Sequence, residues 1–257
     1  MSKVHSVASK GFNLQTAHYA NARPSYPIKL IQAITSILPP KAHVVDLAAG
    51  TGLMTKLLVE ANLEVTAVEP AENMRTKLTE ILPKVTCLNG DSWNIPLKDS
   101  SQDAIVVAQA FHWFDDAKTL MEMHRVLKPK GYGILAWNLE SSERADWVGP
   151  LRSLYETYDE GVPQYRKNNW RNVFETDEAK ELFKLPFEER VFENDFLVPK
   201  ENIWPRILSK SYISCLEKEE QDELEKKVNG MLKDIPVDEN GLVLYPHDSR
   251  VVYFQRK

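Results

Sequence analysis

Val44-Val45-Asp46-Leu47-Ala48-Ala49-Gly50-Thr51-Gly52 is the stretch on which the fold turns. Val44 to Leu47 reads as a short buried strand. It breaks into a turn of Ala and Gly, then runs into a helix at Leu53-Met54-Thr55-Lys56-Leu57-Leu58. Gly50 and Gly52 allow a tight turn and leave no Cβ between the backbone and a ligand. Asp46 puts an acceptor at the carboxyl end of the strand, where open α/β sheets bind their ligands. Taken alone, the stretch also suits an ordinary strand-to-helix turn.

The flanking sequence repeats the alternation. Upstream, residues 1–12 read as a tail, and Thr16 to Pro27 as a short helix followed by an extended turn fixed by Pro24 and Pro27. Pro27 opens a helix to Leu38 with Ile28, Ile31, Ile34, Ile37 and Leu38 on one face, and Pro39-Pro40 stops it. Downstream come a strand at Leu63 to Val68, a helix at Ala71 to Leu82 and a strand at Val85 to Leu88. Ala104 to Ala108 is continuously apolar, as in a sheet buried on both faces. Asp115 or Asp116 caps a helix to Leu127, with Met121, Val126 and Leu127 as its apolar anchors. Lys128 to Gly131 reads as a turn and Gly133 to Trp137 as a fifth strand. Strands alternating with helices mean βαβ units and a parallel sheet.

The second half is less regular. Helices are expected at Ala145 to Asp159, Asp177 to Phe183, Lys200 to Ser209 and Glu217 to Lys233, and a loop at Asn168 to Phe174. Phe187 to Val198 reads as a strand. Gly241 to Tyr245 and Val251 to Phe254 read as two strands around Pro246-His247-Asp248. No repeat or linker interrupts the chain, so one domain with a cap after strand five is expected.

Composition bounds the function. The 257 residues are 43% hydrophobic and 27% charged, the balance of a soluble globular protein. A net charge of -5 gives no electrostatic case for nucleic acid or an anionic membrane. Cys87 and Cys215 lie far apart, with no C-x-x-C and no His cluster. No disulfide framework and no metal site are expected, and a reducing compartment, the cytosol, suits the chain. The N-terminus lacks the apolar run of a signal peptide, and no window offers the roughly 18 apolar residues of a membrane span.

Polar residues at successive strand ends carry the chemistry. Asp46 and the Gly50/Gly52 turn end the first strand. Glu69 ends the second, where a carboxylate accepts from both hydroxyls of a ribose. Asp91-Ser92 ends the third; an aspartate there accepts from an adenine amino group while the next N–H donates to a ring nitrogen. Met74, early in the following helix, is placed for a purine face. Each has a plainer reading as a strand end, a turn residue or a core filler; their order argues for one site.

This assembly resembles the class I S-adenosylmethionine-dependent methyltransferases. VVDLAAGTG is similar to the first motif of that family, VTAVEP to the second and NGDSWNIP to the third. The resemblance covers about residues 16–138. YANARPSYP, FHWFD, HRVLKPKG and WN look like the small-molecule branch that includes the trans-aconitate and cantharidin methyltransferases and the fungal dithiol methyltransferases. One departure is Ala48, where many relatives have glycine. Alanine is expected to keep φ negative there without strain.

The resemblance implies an α/β fold. A Rossmann-like, mostly parallel seven-stranded sheet ends in an antiparallel strand, with helices on both faces and a helical cap insertion. A single domain over 1–257 divides into a lid and first helix (1–40), a cofactor core (41–138) and cap segments (about 139–186 and 199–235). S-adenosyl-L-methionine, leaving as S-adenosyl-L-homocysteine, is the implied cofactor, without a metal. Backbone at Ala48 to Gly50 would hold its amino group, Glu69 the ribose, and Asp91 and Ser92 the adenine. Gln109 would lie beside its methionine portion. Tyr19 and Arg23 are lid candidates, the guanidinium suiting a carboxylate. His112 is the candidate base, with Trp113, Trp137 and Asn138 lining the acceptor pocket. Trp147, Tyr155, Tyr158, Tyr165 and Trp170 give the cap an aromatic character suited to a small apolar or planar substrate. Neither nucleic acid nor membrane is an expected partner, and either a monomer or a homodimer fits.

Three other readings compete. A nicotinamide-dependent oxidoreductase wants G-x-G-x-x-G, but Thr55 stands at the last position. A non-catalytic cofactor-binding or partner-binding module is the second; intact ribose and adenine positions argue against lost cofactor binding but do not prove turnover. A macromolecular methyltransferase would want a basic stripe, which the sequence lacks.

Overall fold

The computed structural model describes residues 24–257, so Tyr19, Arg23 and the expected lid lie outside the described residues. Two compact units share them. One comprises Ser25–Trp137, Pro163–Phe192 and Ser249–Lys257; the other comprises Pro24, Asn138–Val162 and Glu193–Asp248.

The first unit is built on β1 (His43–Leu47), β2 (Glu64–Val68), β3 (Thr86–Leu88) and β4 (Gln102–Ala108). Three longer strands follow: β5 (Leu127–Glu140), β6 (Phe183–Pro199) and β7 (Leu242–Arg256). The sheet runs β3-β2-β1-β4-β5-β7-β6. It is mostly parallel, with antiparallel last strands, as the Rossmann-like expectation has it. Val45 pairs with Thr66 on one side and Ile105 on the other. The chain therefore leaves β1 toward β2 and returns on its other flank at β4, and this reversal opens a crevice at the carboxyl ends of β1 and β4.

Period-two alternation divides the core between the sheet's two faces. Val45, Leu47, Ile105, Val107, Leu135 and Trp137 pack in one cluster. Val44, Ala104, Val106, Ile134 and Ala136 pack in another, with Leu30, Ile31 and Ile34 of α1 (Ile28–Ser36). Each fully buried side chain of this kind contributes about 1.5–3 kcal/mol.

The helices that carry the site follow the strands: α2 (Leu53–Glu60), α3 (Glu72–Ile81) and α4 (Ala117–Val126). Asp116 caps α4, its Oδ1 accepting from the Thr119 N–H at 2.7 Å. Met121 is not an anchor of α4. It is 50% exposed, while Thr119, Leu120, Met123 and Val126 form the buried stripe at helical spacing.

Three further readings are corrected. The chain forms one continuous strand, β7, where two strands around Pro246 were expected. β5 begins at Leu127, so Lys128 to Gly131 lies inside a strand whose register shifts opposite Gln102 and Ala104. Residues Asn169–Glu175 are a 3-10 helix rather than a loop. In the second unit, α5 (Val148–Glu156) packs in a core with Ile203, Ile207, Leu224, Val228 and Tyr245.

Candidate functional site

Asp46 is fully buried in β1. Its Oδ2 accepts from the Thr55 hydroxyl of α2 at 2.5 Å, while its Oδ1 has no partner. Burial raises its pKa from 3.8 to about 7; the Thr55 bond opposes that shift and the charge of Glu69 adds to it. Thr55 thus fills the position where a dinucleotide fold needs its third glycine, and its hydroxyl is already committed to Asp46.

The turn that follows holds two conformations found at constrained sites. Ala48 takes φ +58, contrary to the expectation of a negative φ. The reason is tertiary. Ala48 and Ala49 both donate to the Val68 carbonyl, at 2.8 and 3.2 Å, and this clamp turns β1 over the end of β2. Gln109, at the end of β4, repeats the device. It takes φ +60 and donates to the Ala136 carbonyl at 2.8 Å. Each strand end is drawn toward its outer neighbour, which leaves the crevice between β1 and β4 open. Left-handed non-glycine residues cluster where function over-determines the backbone.

Gly50, at φ +57, has no heavy atom within 4 Å of where a Cβ would stand. That face is open to a ligand. Gly52 serves packing: a Cβ there would meet Leu78 Cγ of α3 at 2.9 Å.

Glu69 closes the rim. Its Oε2 accepts from the Gly50 N–H and its Oε1 from the Ala71 N–H, both at 2.9 Å. Each oxygen keeps a second lone pair for a ligand hydroxyl. Burial raises its pKa, against those two bonds and the charge of Arg75. Arg75, which the sequence did not single out, donates to the Glu69 and Pro70 carbonyls at 2.9 and 2.7 Å and fixes the loop. Asp46 and Glu69 therefore form a buried acidic pair. Such a pair favours a cationic ligand, because a positive charge lowers the cost of ionising both.

Asp91 follows β3, and its Oδ1 accepts from the Trp93 N–H at 2.9 Å. Ser92 and Met74 are buried. After β4, the Trp137 indole N–H donates to His112 Nδ1 at 3.4 Å. Trp137 is fully buried and stacks against Tyr165 and Trp170, each with ring centroids 4.6 Å away. Tyr165 and Trp170 thus belong to the sheet unit, not to a cap with Trp147, Tyr155 and Tyr158. Trp113 is partly exposed, its ring 5.4 Å from that of His112.

Asn138 belongs to the second unit. It donates from Nδ2 to the Pro24 carbonyl at 3.0 Å and accepts from Asn194 at 3.4 Å. Among the described residues no group of His, Cys, Asp and Glu could hold a metal ion, and no helix is long and apolar enough to cross a membrane.

The residues present fit a sulfonium nucleoside. The open face of Gly50 and the unpartnered Asp46 Oδ1 suit its cationic portion, and Glu69 its ribose.

Residues 45–135 match the methyltransferase domain family. An uncharacterized methyltransferase of Mycobacterium bovis is 44% identical over 147 residues, 57% of this chain and 59% of that protein's length. An uncharacterized methyltransferase-like protein of Schizosaccharomyces pombe is 30% identical over 230 residues, 88% of each chain. In fold, the chain is similar to the phosphoethanolamine N-methyltransferase 2 of Haemonchus contortus, crystallised with S-adenosylhomocysteine. The TM-score is 0.57 at 16% identity, covering 99% of this chain and 60% of that one. With a relative 30% identical over 88% of each chain and the Rossmann-like sheet described above, the chain belongs to the class I S-adenosylmethionine-dependent methyltransferases.

Proposed function

We propose that this chain transfers a methyl group to a small molecule. The observation that carries the reading is the buried Asp46–Glu69 pair around the open face of Gly50. S-adenosylmethionine, when bound, supplies a methyl group on a positively charged sulfur. Asp46 Oδ1 would face its cationic portion, Glu69 the ribose hydroxyls, and Asp91 and Ser92 the adenine. Met74 would flank the purine and Gln109 the methionine portion. Holding the reactants in line supplies much of the rate of such a transfer.

His112 positions the acceptor rather than deprotonating it. An indole N–H only donates, so His112 Nδ1 must present its lone pair to Trp137. That contact is made by a ring whose Nδ1 carries no proton. Trp137 acts through His112, and Trp113 stands beside it, with ring centroids 5.4 Å apart. An acceptor that arrives as an anion, such as a carboxylate or thiolate, needs no strong base.

A nicotinamide-dependent oxidoreductase fits less well, because the Thr55 hydroxyl occupies the third-glycine position. Neither the net charge of -5 nor the sequence pattern favours a nucleic-acid substrate. We place the protein in the cytoplasm.

The test is a labelled-methyl screen over carboxylate, thiol, hydroxyl, amine and carbon acceptors. Transfer to at least one small acceptor is expected; transfer only to protein or nucleic acid defeats the reading. With that acceptor, His112→Gln should retain most of the rate and His112→Ala should not. Loss of the acid limb of the pH profile in both variants would instead identify a base.

A further inference from the structure

The second unit holds a buried polar cluster that the methyl-transfer reading does not use. Glu140, at the end of β5, is fully buried. Its Oε1 meets Lys210 Nζ at 2.9 Å and Arg206 at 3.3 Å, while its Oε2 has no partner. Lys210 Nζ also lies 4.8 Å over the Tyr155 ring. Tyr245 and His247 are edge to face, with ring centroids 4.7 Å apart. The Ser141 N–H donates to the Pro246 carbonyl at 2.9 Å, between those two rings in sequence. Ser141 Oγ, Tyr155 OH, Tyr245 OH and His247 Nε2 have no hydrogen-bond partner. All four residues are more than nine-tenths buried.

These atoms have definite polarity. His247 Nδ1 lies 3.0 Å from the Tyr245 carbonyl, which only accepts, so Nδ1 carries the proton. Burial holds the ring neutral, with its pKa down at about 4, against the charge of Glu140. His247 Nε2 is therefore an acceptor. Burial pushes Glu140 up, but the charges of Lys210 and Arg206 hold it well below the usual range, so Oε2 is an acceptor too. The two phenols stay protonated, raised by burial and by Glu140. Two fixed acceptors and three hydroxyls that donate or accept are thus buried in this unit without partners, and the charge of Glu140 is felt by Tyr155, Tyr245 and His247.

We infer that Glu140, Ser141, Tyr155, Tyr245 and His247 form a binding site for an uncharged, hydroxyl-bearing small molecule. A carboxylate brings no proton for Glu140 Oε2 or His247 Nε2. An ammonium cannot accept from the phenols and would approach Lys210 and Arg206. A hydroxyl does both tasks. A buried polar group left unmatched costs about 1–3 kcal/mol, so five in one place are expensive to maintain for folding alone. This site is independent of the methyl-transfer reading.

The experiment uses the full chain and ligand-observed NMR, with glycerol, myo-inositol and catechol as neutral probes and succinate and choline as charged controls. Catechol or a polyol should bind while succinate and choline do not. Tyr155→Phe and Tyr245→Phe should each weaken that binding about tenfold, one hydrogen bond's worth. Neither should change the affinity for S-adenosylhomocysteine, and both should melt no lower than wild type, which shows that they fold. The wild-type crystal soaked with the bound probe needs no variant. Density for the probe against these five residues supports the site. Failure of all three neutral probes to bind, unchanged binding in both variants, or ordered water alone in the soaked crystal overturns it.

Discussion

Ala48→Gly should stabilise the folded chain, a direction opposite to most glycine substitutions. Ala48 is held at φ +58 by the 2.8 Å bond from its amide to the Val68 carbonyl. A return to negative φ would break that bond and the turn behind it. A left-handed alanine costs about 1–2 kcal/mol. Glycine removes this cost but widens the unfolded ensemble, which takes back about 0.4–1 kcal/mol. The net gain is about 0.5–1 kcal/mol, or about 1–4 °C in Tm for a chain of this size. Ala48→Val adds a branched side chain at the same φ and should cost more than the alanine does. Urea and thermal unfolding of the three proteins at matched concentration measure the order. If Ala48→Gly proves less stable than wild type, the strain argument is wrong and the residue is not held in the left-handed region.

Two further outcomes follow from the acidic pair. Because Asp46 titrates near 7 when folded and near 3.8 otherwise, the folded state binds the extra proton between those values. Its contribution to stability is therefore fully present below about 4 and is lost as pH rises toward 7. Cofactor affinity should run the other way, since only the carboxylate attracts a cation. It should fall by up to about tenfold per unit below pH 7 and level off above it, with proton release in calorimetry. A flat profile in Asp46→Asn and a sloping one in wild type are expected; identical profiles would remove Asp46 from the site. Glu69→Ala should weaken binding of S-adenosylmethionine by tenfold or more, since it removes the ribose acceptor and frees the Gly50 N–H. Unchanged affinity by calorimetry would refute the ribose assignment.

Much of the cofactor edge was legible because its signals are local. A strand ending in Asp46, two glycines and acids at the next strand ends can be read along the chain. What was not legible depends on distant partners. The φ of Ala48 is set by a carbonyl at Val68, and alanine carries no mark of it. Met121 misled because it is apolar, yet it lies off the stripe formed by Leu120, Met123 and Val126. Pro246-His247-Asp248 has the composition of a turn, but it runs through one long strand whose backbone is held from outside. Arg144 donates to the His247 carbonyl and to Asp248. Tyr165 and Trp170 follow the cap helix in sequence but stack on Trp137. Glu140 lies beyond the expected fifth strand, Gly133 to Trp137, and its partners Arg206 and Lys210 are far along the chain.

The most direct test of the central claim is calorimetric titration of the full chain with S-adenosylhomocysteine and, separately, with NAD. The crevice between β1 and β4 predicts saturable one-to-one binding of S-adenosylhomocysteine and no measurable binding of NAD. Binding of NAD with no response to S-adenosylhomocysteine would contradict the account.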